Sequence, residues 1–326
     1  MERSIYDELK SIDDLILIGP FYPLVGGVSV FLERLYSKNK DYVKYPFVGG
    51  SLLTYVKLCV FLLKNRKKVI CLNTINIYLI CLFEVLFKLA KLRVIFIDHN
   101  DRQFDRGFIF KIFFKSFLKK NDVNFVVGSS TFKKYRDNGI DNVLVRNSFI
   151  PPDREMATLK LKNYPDSILK FIDKSENLLV TNASNLILEN QVDLYGFDLC
   201  IDLIDKLVNF DKYDVHLLMF VSNVGDDAYL NTLNSCIKSK NLQNNILIYV
   251  GNVEMWPIFS IATLSLRATS KDGFGISVAE SIFMNCPCVA SDVCERFKGA
   301  ILFSSRSLDS LNHEVKKVLN DKKNKV

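Results

Sequence analysis

The chain lacks the marks of several protein classes. None of its eight cysteines forms a C-x-x-C pair, and most lie inside apolar runs. Buried free thiols in a reducing cytoplasm are therefore expected, rather than a disulfide framework. The three histidines, at 99, 216 and 313, form no set with the carboxylates at metal-ligand spacing, so no metal site is expected. The first strand is not followed by G-x-G-x-x-G, which disfavours a dinucleotide dehydrogenase. Helix-turn-helix, zinc-finger and RNP-like patterns are missing too, so no nucleic-acid partner is expected. The charged start up to Lys10 and the short first apolar run do not make a signal peptide. Residues 69–90 are apolar enough to raise a membrane span. Asn73, Asn76, Glu84 and Lys88 interrupt them, so a buried strand followed by a core helix is expected.

What is present is a globular composition, 49% hydrophobic and 24% charged over 326 residues, long enough for two domains. Charge is uneven. Residues 1–150 carry 24 Lys+Arg against 14 Asp+Glu, a net +10, and residues 151–326 carry 19 against 22, a net −3. With nucleic acid disfavoured, the basic half suggests an anionic membrane surface as partner.

Short apolar runs alternate with helical stretches. Strands are expected near 14–18, 43–48, 69–72, 93–97, 124–127 and 143–145, and again near 178–181, 216–220, 246–250, 262–266, 287–290 and 300–303. That alternation predicts α/β architecture with parallel sheets covered by helices on both faces. Pro151-Pro152 interrupts regular structure, and the polar run to Pro165 reads as an interdomain connection, placing the boundary near 150. Within residues 107–120, Phe110, Phe113, Phe114 and Phe117 share one helical face, with Lys111, Lys115 and Lys119 roughly opposite. Such a helix either packs on the core or lies on anionic lipid.

The chain is organised around 267–303. A strand leads into a loop with Gly273 and Gly275, then a helix carrying Ile276 and Glu280, then the strand Pro287-Cys288-Val289-Ala290. Backbone N–H groups at such a helix start bind anions. Asp272 and Glu280, with seven residues between them, can accept hydrogen bonds from the vicinal hydroxyls of a nucleotide sugar. The structural alternative is a capping box, with Ser277 as cap and Glu280 returning the bond.

The spacing from Asp272 to Glu280 and the following Asn285-Cys286-Pro287-Cys288-Val289-Ala290-Ser291 resemble the signature of the family 4 retaining glycosyltransferases. The family more often has glutamate at the first acid and glycine at the position of Asn285. Nearly the whole chain takes part in the resemblance, including Gly26-Gly27 before the first long helix and His99 directly after a buried strand. It is weakest over 180–200, where Ser184-Asn185 and Tyr195-Gly196 stand in place of the family's diphosphate-clamping arginine and lysine. Arg267 and Lys271, or Arg296 and Lys298, are the substitutes at hand.

The resemblance implies a GT-B fold, with two doubly wound Rossmann-like domains facing across a cleft. Residues 1–150 would form the acceptor side and residues 151–326 the donor-binding side. It implies sugar transfer from a UDP- or GDP-linked donor to a hydroxyl of a glycan or lipid-linked acceptor, with retention and without a required metal, in surface polysaccharide or lipopolysaccharide synthesis. Glu280 would hold the ribose, Asp272 the donor sugar, and Gly273, Phe274, Gly275 and Ile276 the sugar or phosphates. Gly26 and Gly27 would approach the diphosphate, and His99 would position acceptor or sugar; a loop histidine bonded to Asp98 or Asp101 is the structural alternative. A cytoplasmic protein, peripheral on the inner membrane face, is expected. A GT-B nucleotide-sugar epimerase and a catalytically silent binding partner are the alternatives.

Overall fold

Six short apolar runs form the sheet of the first unit, Met1–Ile150. They are β1 (Leu15–Gly19), β2 (Val43–Pro46), β3 (Val69–Leu72), β4 (Arg93–Asp98), β5 (Val123–Val126) and β6 (Val143–Val145). All pair in parallel, in the order β2-β1-β3-β4-β5-β6. Helices cover both faces, so β1 and β3 are buried along their whole length and read as continuous apolar runs. Helices α1 (Ile5–Leu9) and α2 (Gly27–Lys38) pack on one face. Helices α3 (Leu52–Lys64), α4 (Ile77–Ala90), α5 (Phe108–Lys120) and α6 (Ser129–Asp137) pack on the other. This computed structural model describes residues 3–21, 26–99 and 103–323.

The stretch 69–90 is thus a buried strand and a core helix. No helix among the described residues is long and apolar enough to cross a membrane. On α5 the aromatic face divides. Phe110, Phe114 and Phe117 are buried, with Phe114 and Phe117 edge-on to Phe96 at centroid distances of 5.9 and 5.7 Å. Phe113, expected on the same face, is instead exposed. The reason is angular: 113 lies one position before 114, about 100° around the helix, so the core cannot take both.

The second unit, Pro151–Val326, repeats the plan. It begins with α7 (Ala157–Leu161) and α8 (Asp166–Ile172), so the polar run after Pro152 is helical rather than a bare connection. Ala157, Leu161, Tyr164 and Ile168 recur at helical spacing and pack together. Then come β7 (Leu178–Asn185), the small antiparallel pair β8 (Leu188–Glu189) and β9 (Val192–Asp193), α9 (Phe197–Asp205), β10 (His216–Asn223), α10 (Asp227–Ser239) and β11 (Ile246–Val250). The unit ends with β12 (Leu264–Arg267), α11 (Ile276–Phe283), β13 (Cys288–Ser291), β14 (Ile301–Phe303) and α12 (Leu308–Lys323).

The large sheet is parallel, in the order β11-β10-β7-β12-β13-β14. In each unit the strand order reverses once, between β1 and β3 and between β7 and β12. Ligands of doubly wound sheets bind at these reversals, beyond the carboxyl ends of the strands.

Candidate functional site

At the reversal in the second unit, β12 ends on Arg267 beside the carboxyl-terminal half of β7. The Arg267 guanidinium grips Asp272 with two bonds, Nε to Oδ2 at 2.8 Å and Nη2 to Oδ1 at 3.1 Å. Its third nitrogen donates to the Asn182 carbonyl at 3.2 Å. Arg296, from the loop between β13 and β14, reaches the same carboxylate, with Nη1 2.6 Å from Oδ2. Its other nitrogens donate to Thr269 Oγ1, Ser291 Oγ and the Ser291 carbonyl, each at 3.0 Å. The Thr269 hydroxyl and the Gly273 amide also donate to Asp272, at 3.3 and 3.0 Å.

Five donors therefore converge on one carboxylate, which offers about four lone-pair positions. Its own burial favours the protonated form, but Arg267 and then Arg296, by charge and hydrogen bonding, hold it well below the usual carboxylate range. The Arg296 side chain is only 2% exposed. With two guanidiniums on one carboxylate, the cluster keeps a net positive charge.

The loop is shaped by close approach. Gly275 caps α11 at φ 73, a left-handed conformation, and a Cβ there would lie 2.9 Å from Arg296 Nη1. Gly196, at φ 72, lies against the same loop, where a Cβ would fall 2.1 Å from the Ala268 carbonyl oxygen. Among the described residues no side chain caps α11: Ser277 sits inside its first turn, so the capping box, the structural alternative, does not form. Among the described residues no side chain accepts from its first N–H groups. One turn on, Glu280 is buried, 5% exposed. Ser265 on β12 donates to Ser281 at 2.7 Å, tying α11 to the sheet. Asn285 adopts φ 62, a conformation that glycine or asparagine tolerates best.

The other predicted residues are dispersed. Lys271 is half exposed and pairs with Glu189 at 3.2 Å, away from Asp272. Phe274 stands edge-on to Phe297 at 6.2 Å. Ser184 and Tyr195, at the two positions where the clamp residues were sought, share a 2.6 Å hydrogen bond between their hydroxyls. The Tyr195 ring lies 5.3 Å from the Arg267 guanidinium carbon.

In the first unit, Gly26 caps α2 in an extended conformation at φ 171, with open space where a Cβ would stand, and Gly27 begins the helix. Residues 22–25 of that loop lie outside the described residues. His99 follows β4 and stands half-buried, edge-on to Phe31 at 5.2 Å. Its Nε2 lies 2.9 Å from Asn73 Oδ1. The Asn73 amide nitrogen is turned toward the Cys71 carbonyl and sulfur, so its oxygen accepts from Nε2–H and Nδ1 keeps its lone pair. Of the two acids in the structural alternative, Asp98 accepts from the Tyr135 hydroxyl at 2.8 Å, and Asp101 lies outside the described residues. Burial lowers the His99 pKa from 6.5 to about 4.

Sequence reasoning gave Asn73, Thr269 and Ser291 no role at a site, and weighed Arg296 only as spare charge. Each of the first three is a polar residue at or just beyond the carboxyl end of an apolar strand, a position that could have marked it. No group of three or more histidine, cysteine or acidic residues suited to a metal occurs among the described residues.

Residues 188–321, which include Arg267, Asp272, Glu280 and Arg296, match the family model described as glycosyl transferases group 1. No curated protein matches. HepE from Anabaena, solved in complex with UDP and glucose, superposes with a TM-score of 0.71 at 12% identity, over 95% of this chain and 90% of that one. A glycosyltransferase from Rickettsia africae gives 0.67 at 15% identity, over 94% and 88%. A UDP-forming α,α-trehalose-phosphate synthase from Burkholderia xenovorans gives 0.67 at 13% identity, over 94% and 91%. At these identities the likeness shows the fold, a GT-B architecture of two Rossmann-like units with parallel sheets. The group 1 match and the shared fold together support a glycosyltransferase.

Proposed function

We propose that the protein is a retaining glycosyltransferase moving a sugar from a UDP- or GDP-linked donor to a hydroxyl of a glycan or lipid-linked acceptor in surface polysaccharide synthesis. Residues 151–326 bind the donor and residues 1–150 serve the acceptor, and the protein works at the inner face of the membrane. The observation that carries this reading is the gathering of Arg267, Arg296, the uncapped start of α11 and buried Glu280 at the β7/β12 reversal. A diphosphate needs positive charge and N–H donors, and that cluster offers both. As the bond to the sugar breaks, charge develops on the leaving diphosphate, and donors already fixed in place stabilise it without reorganising. Asp272 holds the two arginines in position, and Glu280 receives the ribose hydroxyls. That HepE was solved with UDP agrees with such a donor.

In this reading His99 acts neutral, with Nδ1 accepting from a hydroxyl of acceptor or sugar. The sign of its pH dependence follows. A histidine held at about 4 is neutral throughout the ordinary range and loses its free lone pair only as pH falls through about 4. The acid limb of kcat/KM is expected near there and not at 6.5, and a limb at 6.5 would remove His99 from the role. Its contribution to stability is complete above 6.5 and declines from 6.5 down to about 4.

Calorimetric titration with UDP, GDP and their sugar conjugates tests the donor site. Micromolar binding of one nucleotide, lost in Glu280→Gln, is expected. A catalytically silent partner is the second reading, favoured by the saturation of Asp272 with five protein donors. Folded protein that binds no nucleotide would establish it.

A further inference from the structure

Helices α3, α4 and α5 stand side by side on one face of the first sheet. Their inner sides fill the core, and their outer sides are apolar as well. On α3, Leu52, Leu53, Val56, Val60 and Leu63 form an exposed stripe along the whole helix, with Leu52 80% exposed. On α4 the stripe is Tyr78, Val85 and Leu89, and on α5 it is Phe108, Ile109, Ile112 and Phe113. Isolated apolar residues on a surface are ordinary, but three adjacent stripes form a contiguous patch of the kind that marks an interaction site.

The charges on these helices are nearly all of one sign. The three segments contain seven lysines and a single acid, Glu84. Glu84 pairs with Lys120. The other six, at 57, 64, 88, 111, 115 and 119, have no ion pair among the described residues. We infer that this three-helix face docks on an anionic lipid bilayer, the apolar stripes entering the headgroup region and the lysines meeting lipid phosphates. A second copy of the chain fits poorly, because two such faces would bring lysine against lysine. The inference rests on the peripheral location proposed above and replaces a single amphipathic helix with a surface. Three of the four phenylalanines that α5 would have offered to lipid, Phe110, Phe114 and Phe117, are in the core, and Phe108, Ile109, Ile112 and Phe113 supply one edge.

Flotation of the full chain with vesicles tests it, using phosphatidylcholine alone and with phosphatidylglycerol, at low and high salt. Binding is expected only with phosphatidylglycerol, and weaker in high salt. The double variant Val56→Glu/Ile112→Glu changes two exposed positions and should lower partitioning roughly tenfold or more while the unfolding midpoint stays put. Leu144→Glu, exposed on β6 and outside the three helices, should bind like the wild type. Undiminished binding by the double variant would overturn the face while leaving peripheral location standing. Folded wild type that binds no vesicle would overturn both, and nucleotide titration of the same sample would still report the donor site. A solution dimer broken by the double variant would assign the face to a second copy and overturn the inference.

Discussion

Asp272→Asn is expected to destabilise the second unit by about 3–5 kcal/mol, the cost of leaving buried charge without its counter-ion. The substitution keeps shape but leaves Arg267 and Arg296 facing each other across a neutral amide. The reporter is built in: the only tryptophan, Trp256, is buried in the second unit, so its fluorescence in a urea titration follows that unit alone. Acid should act in the same direction. A carboxylate depressed in the folded state stabilises above its unfolded pKa, roughly 3.9, and loses that contribution as pH falls below it. The wild type should therefore show a steeper acid decline than Asp272→Asn. A variant as stable as the wild type, but without activity, would mean that Asp272 serves the sugar and not the arginines.

Arg267→Gln is expected to weaken donor binding by about 1.5–3 kcal/mol, roughly 10- to 150-fold, the loss of a charged hydrogen bond to phosphate. Lys271→Ala should cost less than about 1 kcal/mol, because that lysine is solvated and already paired with Glu189. Titration calorimetry under conditions where both variants are folded separates the two. The reverse order would mean that the exposed lysine meets the diphosphate and the buried arginine is structural. Arg267→Lys is informative beside them: it keeps the charge and gives up the two-pronged grip on Asp272.

These contrasts follow the division between what the residues disclosed and what they did not. The strands were legible because sheets covered on both faces demand unbroken apolar runs, as in Leu15–Ile18 and Val69–Leu72. The loop around Gly273 and Gly275 was legible because an uncapped helix start after a strand has few residue solutions. The partners of Asp272 were not. Arg296 lies 24 positions away along the chain, and only the packing of α11 and β13 brings it back. His99 and Asn73 come together for the same reason, from the ends of neighbouring strands β4 and β3. Helices α7 and α8 were hidden differently. Their apolar spacing is present from Ala157 to Ile168, but Pro151-Pro152 and the polar residues up to Pro165 outweighed it. On α5, counting four phenylalanines as one face overlooked the width that a core groove admits.

The strand order of the second sheet also sets the sequence of its assembly. Strand β7 lies near the centre and comes first along the chain, yet its two neighbours, β10 and β12, begin only at 216 and 264. During synthesis its apolar core, Leu178–Val180, must wait for both, a long interval in which a chaperone is the natural occupant. Arg296 leaves the ribosome later still. The anion-binding cluster is thus among the last things the chain can build, and a nascent chain halted before β13 would carry Asp272 gripped by a single arginine.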